Sequence, residues 1–270
     1  MLHLVPTPIG NIADMTLRAL DVLSKADKIL CEDTRVTKQL LHILQERYSL
    51  ELKTNLQYFS FHSHNEKEFL SKIEPSFFDD EVVYVSDAGM PGISDPGASL
   101  VAFAQQNTLA YDVLPGANAV LTAYVASGFY SKEFLFYGFL PHKLKEKELQ
   151  LQKALLSGYV TIFYESPHRL LTFLDVLEKI DPQREVFLAK ELTKKYQTYF
   201  KGDVRTLKKE LGKSIKGEWV VVVNSAQSLI SSGSISQEDI ESLNIPKKQK
   251  AKLLSKITGR SIKEIYNEML

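Results

Sequence analysis

From Leu2 to about Ala126, short and nearly unbroken apolar runs alternate with segments of helical periodicity. LHLVPT, KILCEDTR, EVVYVSDAG and AYDVLPG read as strands. DMTLRALDVLSKA sets Leu17, Leu20 and Leu23 at helical spacing behind an Asp14 cap, and Val36, Leu40, Leu41 and Leu44 mark a second helix. GASLVAFAQQ and NAVLTAYVA continue the alternation. A strand that is apolar at nearly every position is buried on both faces, and helices between successive strands supply that cover. This half is therefore expected to be an α/β layer structure on a mostly parallel sheet.

Near Gly128 to Lys132 the pattern restarts. EFLFYGF is a strand, HKLKEKELQLQKALL an amphipathic helix, GYVTIFYES a strand, and Pro167 to about Ile180 a helix with Ser166 as its cap. EVFLAKEL, YQTYF and GEWVVVV follow as strands, with DVRTLKKEL a helix among them. Their close spacing predicts some antiparallel pairing and hence a mixed sheet. The expected organisation is an α/β domain over 1–116, a second α/β domain over 117–224, a Ser-rich linker over 225–236 and a helical appendage over 237–270.

The single cysteine, Cys31, rules out an internal disulfide framework and a multi-cysteine zinc site, which suits the cytoplasm. No apolar run reaches the ~20 residues of a membrane span, and MLHLVPTPIG has neither the basic flank nor the apolar stretch of a signal peptide. A formal net charge of zero argues against a protein that grips long naked nucleic acid by charge alone. The one clear asymmetry is in 246–270, where seven Lys/Arg face two Glu. Its two short helices around Gly259 have the outline of a helix-turn-helix, but a basic packing or RNA-contacting appendage fits them better than a reader of DNA sequence.

The loop SDAGMPGISDPG, 86–97, follows the strand at 82–85. It lacks the Gly-Lys-Ser/Thr of a P-loop, and Gly89, Gly92 and Gly97 do not form a dinucleotide fingerprint. Two aspartates and no cation make a poor phosphate cradle and suit ribose hydroxyls or a cationic ligand. In open α/β sheets, ligands bind beyond the carboxyl ends of the strands, where this loop lies. Its plain alternative is an ordinary strand-to-helix turn.

VPTPIGN, 5–11, reads either as a rigid wall at the same end of the sheet or simply as a rigid turn before a helix. In CEDTR, Glu32, Asp33 and Arg35 form either a structural ion pair or a cluster that orients a hydroxyl. His62 and His64 share a face if FHSHNE is extended; nothing nearby completes a metal set, so no metal is expected. In FYESPHR, Glu165, His168 and Arg169 are expected to face the cleft between domains, with Lys190 or Lys194 as possible partners of Glu165.

TPIGNIADMTLRALDVL, CEDTR, HSHNE, SDAGMPGISDPG, FYESPHR and ELTKK occur in this order, and together they resemble the bacterial 16S ribosomal RNA cytidine 2′-O-ribose methyltransferases of the tetrapyrrole-methylase superfamily. The resemblance spans about residues 3–224. It implies two α/β domains, S-adenosylmethionine held between them, 16S ribosomal RNA in the small ribosomal subunit as partner, and a homodimer, with no DNA and no membrane. The cofactor residues it implies are Pro8, Ser86, Asp87, Ala88, Gly89, Ile93 and Ser94, then Asn118 and Ala119, then Phe163, Tyr164 and Leu192. Met90, Gly92 and Ala117-Asn118 depart from the usual pattern; Asn118 can replace a serine as a hydrogen-bonding group.

A ribose 2′-hydroxyl is a poor nucleophile until its proton is drawn away, so a base is expected at the cleft. Asp33, His64 and Glu165 are the candidates, and no spacing selects among them. Arg35, His62, Asn65, His168 and Arg169 are the candidate substrate contacts. Two other functions fit the same fold: a C-methyltransferase of tetrapyrrole macrocycles, and a ribosome-assembly factor that binds S-adenosylmethionine without turning it over.

Overall fold

The computed structural model describes residues 1–211, 215–225 and 237–269. Strands β1 (Leu2–Val5), β2 (Lys28–Cys31), β3 (Gln57–Ser60), β4 (Val82–Val85) and β5 (Tyr111–Val113) form a sheet in the order β3-β2-β4-β1-β5, all pairs parallel. Parallel neighbours need crossovers, and α1 (Leu17–Lys25), α2 (Thr34–Tyr48), α3 (Glu66–Lys72) and α4 (Gly97–Gln106) provide them. Alternation along each strand divides the core. Ile29, Cys31, Val83 and Val85 pack with Leu23, Leu41 and Leu44 on one face. Leu30, Val82 and Tyr84 pack with Phe61 and Leu100 on the other.

Two local expectations change. The cap of α1 is Thr16, whose side chain accepts the Ala19 N–H at 3.1 Å, whereas Asp14 ends a single 3-10 turn, Ile12–Asp14. An N-cap must directly precede the first helical residue, and Asp14 lies too early. Leu17 then falls on the solvent side at 84% exposure, and Ala19 and Leu23 supply the buried face. Edge strand β3, which the apolar-run pattern passes over, has only partly buried central residues.

The second sheet comprises β6 (Phe134–Phe139), β7 (Val160–Glu165), β8 (Glu185–Lys190), β9 (Thr198–Asp203) and β10 (Trp219–Val223), in the order β6-β7-β10-β8-β9. Only β6 and β7 are parallel, joined through α6 (Leu144–Leu156). With α6, helices α7 (Pro167–Ile180) and α8 (Val204–Leu211) cover one face. On the other face α5 (Ala119–Ser127) packs Val120 and Ala123 with Ile162, Phe187 and Val220. Ser166 holds the N-cap position of α7 before Pro167, but its hydroxyl makes no capping bond.

Both sheets lie in one compact unit, Met1–Ser225. The described part of the second unit is α9 (Gln237–Ser242), α10 (Lys247–Thr258) and α11 (Ile262–Glu268), closed on Ile240, Ala251, Leu254 and Ile265. Of the expected linker 225–236, residues 226–236 lie outside the described residues. Among the described residues no helix is long and apolar enough to cross a membrane.

Strand register fixes where the loops gather. Val5 pairs with Val85, Cys31 with both Val85 and Ser60, and Leu4 with Val113. The segments after β1, β2, β3, β4 and β5 therefore all emerge at one edge, the carboxyl end of the sheet.

Candidate functional site

The loop after β1 is stapled to the glycine loop after β4. Thr7 and Gly89 exchange both backbone hydrogen bonds at 3.0 Å, and the buried Thr7 hydroxyl donates to the Ser86 carbonyl. The Ser86 hydroxyl in turn donates to the Gly89 carbonyl at 3.1 Å. Gly89 sits at φ +87°, and a Cβ there would lie 3.1 Å from the Ile9 side chain. Further along, one oxygen of Asp95, Oδ1, accepts three bonds: from Gly92 N–H, Gly97 N–H and the Tyr84 hydroxyl, at 2.8, 2.8 and 2.9 Å. This ties the loop to the middle of the sheet. Burial, together with the Asp95 charge, pushes the Tyr84 phenol far up, so it stays a donor.

Above the loop lies a cavity of about 360 Å³, within the range of small-molecule sites. Ser86, Ala88, Gly89, Ile93 and Ser94 line it from the first sheet, as do Asn118 and Ala119 from the start of α5. Tyr164, Leu192, Ala189 and Val220 line it from the second sheet. The Asn118 side chain also caps α5 by accepting the Leu121 N–H at 3.0 Å. Burial pushes the phenol of Tyr164, a lining residue, up to about 12, so its hydroxyl keeps its proton.

The charge of the lining is one-sided. Glu32, Asp95, Glu165 and Glu218 contribute to it, and no Lys, Arg or His does. Glu32 extends from the end of β2; its Oε1 accepts the Asp87 N–H at 3.3 Å, and its other oxygen makes no hydrogen bond among the described residues. Burial raises the Glu32 carboxyl, and the charges of Asp95 and Asp87 add to that. Asp87 is raised as well, mainly by burial. An apolar cavity lined by carboxylates and by no cation suits an uncharged nucleoside carrying a cationic centre and offers a phosphate nothing.

Several residues singled out from sequence stand elsewhere. Asp33 and Arg35 pair with each other, guanidinium to carboxylate at 2.6 Å, and Asp33 also caps α2. Hydrogen bonds from Arg35 hold the Asp33 carboxyl down at about 2, so it is a weak proton acceptor. His62 and His64 are not on an extended strand: residues 63–65 form a turn into α3, and the two rings meet at 5.9 Å. Asn65 closes that turn, accepting the His62 N–H at 2.8 Å and donating to the Ser60 carbonyl. Phe163 alternates to the far face of β7, where it stacks on Phe173 in the core, so its side chain does not line the cavity. Pro8, Asp87, His62, His64, His168 and Arg169 are likewise not among the lining residues. Among the described residues no group of three or more His, Cys, Asp or Glu is placed to hold a metal.

Glu165 reaches the cavity edge but is held from behind. It is 3% exposed, and its Oε1 lies 3.1 Å from Lys147 of α6 and 3.1 Å from Arg169 of α7. Arg169 also donates to the Leu140 and Pro141 carbonyls. The expected partner Lys194 instead pairs with Glu191 and Glu218, while Lys190 lies over the Trp219 ring. Nothing in the sequence marks Lys147, because a lysine in a charged amphipathic helix reads as solvent-facing; only the packing of α6 shows it to be buried.

The matches to known proteins agree with this geometry. Residues 1–208 match the model of the tetrapyrrole (corrin/porphyrin) methylases. A protein named ribosomal RNA small subunit methyltransferase I, from Campylobacter fetus subsp. fetus (strain 82-40), is 48% identical over 273 residues, covering all of both chains. The chain belongs to the ribosomal RNA small subunit methyltransferase I family. A member from Bacillus subtilis (strain 168) is 42% identical over 84% of this chain and 75% of its own. Solved structures share the fold at lower identity. The methyltransferase CobJ has a TM-score of 0.59 at 18% identity, over 83% of this chain and 94% of that one. Uroporphyrin-III C-methyltransferase from Thermus thermophilus, complexed with S-adenosyl homocysteine, has 0.52 at 13%, over 85% and 98%. The family thus unites rRNA-named members with the fold of macrocycle methylases, and the chain is a methyltransferase of that fold.

Proposed function

We propose that this protein transfers the methyl group of S-adenosylmethionine to the ribose 2′-hydroxyl of a decoding-centre cytidine in 16S ribosomal RNA. The full-length identity to rRNA methyltransferases supports the RNA substrate. The observation that carries the cofactor is the cavity itself, apolar and lined by carboxylates with no cationic side chain. S-adenosylmethionine, when bound, supplies an electrophilic methyl group on a cationic sulfur. Ala88, Gly89, Ile93 and Ser94 would hold one side of it, Asn118 and Ala119 the junction, and Tyr164 and Leu192 the other side. Asp87, whose N–H donates to Glu32 and whose carboxylate accepts the Asp33 N–H, and Pro8 would flank that lining.

Glu32 replaces Asp33 in this reading as the group that takes the ribose proton. It lines the cavity and keeps one oxygen free of protein partners. Asp33 is committed to Arg35, and Glu165 to Lys147 and Arg169. Positioning the hydroxyl for in-line attack and excluding water account for the rest of the rate. Arg35, His62, His64 and His168 serve as RNA contacts in this reading, with Asn65 closing the turn that carries the two histidines and Arg169 holding the Leu140–Pro141 segment. Exposed Leu121 and Val125 on α5, with Tyr130 at 97% exposure, support self-association of the chain as a homodimer. The cytoplasm, where small subunits are assembled, is the compartment this reading requires.

Incubation of unmodified small ribosomal subunits with the protein and S-adenosylmethionine tests the whole reading. Ribose-methylation mapping should then show one new 2′-O-methyl cytidine in the decoding centre. Methylation on a base, or on no nucleotide although S-adenosylhomocysteine binds by calorimetry, would overturn the assignment.

A further inference from the structure

The C-terminal unit concentrates charge in a way its own stability does not call for. On α10, Lys248, Lys252 and Lys256 recur every fourth residue, and all three are exposed. Residues four apart lie on the same helix face, about 6 Å apart along the axis. The opposite face of α10 buries Ala251 and Leu254 in the small core of the unit, so the lysine row points away from its fold.

Other cations of this unit, apart from the exposed Lys263 of α11, are engaged. Lys247 donates to the Met269 carbonyl, Lys250 to the Glu241 carbonyl, and Arg260 pairs with Glu268. Lys248, Lys252 and Lys256 have no carboxylate or carbonyl partner among the described residues. Like charges at i, i+4 destabilise a helix. Lys248 also sits in the first turn, where the helix dipole disfavours a cation, and the N-cap Pro246 provides no side-chain bond. A polyanion laid along the row would remove each of these penalties.

We infer that the Lys248–Lys252–Lys256 row is a docking strip for the phosphate backbone of RNA. The inference rests on the proposed RNA substrate and adds a second contact region to it. The cavity cannot serve this purpose, because no cation lines it. The contact is to backbone and not to bases. In helix-turn-helix docking the first helix crosses the backbone while the second enters the groove. Here the second helix, α11, carries Glu264 in a capping box with Ser261 and Glu268 paired to Arg260, and such carboxylates are repelled by a groove flanked by phosphates.

The test uses the full chain and a K248Q/K252Q/K256Q variant. Affinity for 16S rRNA, free and within small subunits, is measured over a salt series, with kcat, KM and S-adenosylhomocysteine titration in parallel. Each lost phosphate contact removes about 0.7 to 0.9 from the slope of log K against log salt, so the variant should lose about 2 to 3. KM for RNA should rise by about tenfold or more at moderate salt, with kcat at saturating RNA and S-adenosylhomocysteine affinity unchanged. An unaltered slope and KM in a folded variant would overturn the strip. So would loss of binding to anionic phospholipid vesicles with RNA binding intact, since exposed Leu253 and Ile257 lie beside the row. If the wild-type chain binds RNA through these lysines but leaves it unmethylated, the methyl-transfer reading fails and the strip stands.

Discussion

The ammonium of Lys147 and the carboxylate of Glu165 meet at 3.1 Å with only 2% and 1% of their side chains exposed, directly behind the edge of the cavity. Two ions in so dry a place persist only because each neutralises the other, with Arg169 as a third member. The second oxygen of Glu165 and the indole N–H of Trp219, its registered neighbour across β10, have no protein partner.

Removing the shared anion should therefore cost more than removing either cation. Glu165→Gln strands Lys147 in the interior and should lower stability by about 3–5 kcal/mol. Lys147→Met leaves Glu165 paired with Arg169 and fills similar volume, so its cost should be clearly smaller. Urea unfolding followed by Trp219, the single tryptophan, measures both.

The Asp95 clamp makes a separate prediction. Asp95→Ala removes the one oxygen that accepts from Gly92, Gly97 and Tyr84. Bonds to a charged acceptor are worth about 1.5–3 kcal/mol each, so S-adenosylhomocysteine affinity should fall by at least about tenfold. Tyr84→Phe removes a single donor and should cost less. Equal affinities for wild type and Asp95→Ala by calorimetry would show that the loop does not need the clamp.

Glu32 should govern the acid limb of the reaction. Burial raises its pKa, so the rate should fall as pH drops through that value, and Glu32→Gln should be slower by about 10²–10⁴ with that limb abolished. The stability effect has the opposite sense. The folded state binds this proton more tightly than the unfolded chain, so protonation favours the fold. The cost of ionised Glu32 is present in full above its raised pKa and is lost as pH falls below the unfolded value. At neutral pH, Glu32→Gln should be at least as stable as wild type by thermal unfolding while binding S-adenosylhomocysteine normally.

Two glycine substitutions should separate strain from site damage. At Gly158, φ is +77° with nothing within 4 Å of an added Cβ. Gly158→Ala should cost about 1–2 kcal/mol of stability and no ligand affinity. At Gly97 an added Cβ would stand 2.7 Å from Gly92 N and 2.9 Å from Asp95 Oδ1. Gly97→Ala should therefore abolish high-affinity S-adenosylhomocysteine binding in calorimetry.

The sequence by itself determined the alternation of elements and the placing of the glycine loop at a strand end. Buried parallel strands must be apolar at almost every position, as VVYV at 82–85 and WVVVV at 219–223 are, and a loop that turns twice needs Gly at positive φ. It also carried the family, through motifs whose order survives any uncertainty about their contacts. It did not determine which carboxylate faces the cavity. Glu32 and Asp33 are adjacent and chemically alike, and only the way the chain turns from β2 into α2 sends one to the cavity and the other to Arg35. Lys147 looked like one charge among many in α6, and Phe163 like a cofactor contact beside Tyr164. The packing of α6 and the period of two along β7 put Lys147 beneath the site and Phe163 on its far face. A local pattern records which residues are available, whereas direction is set by burial against elements distant in sequence.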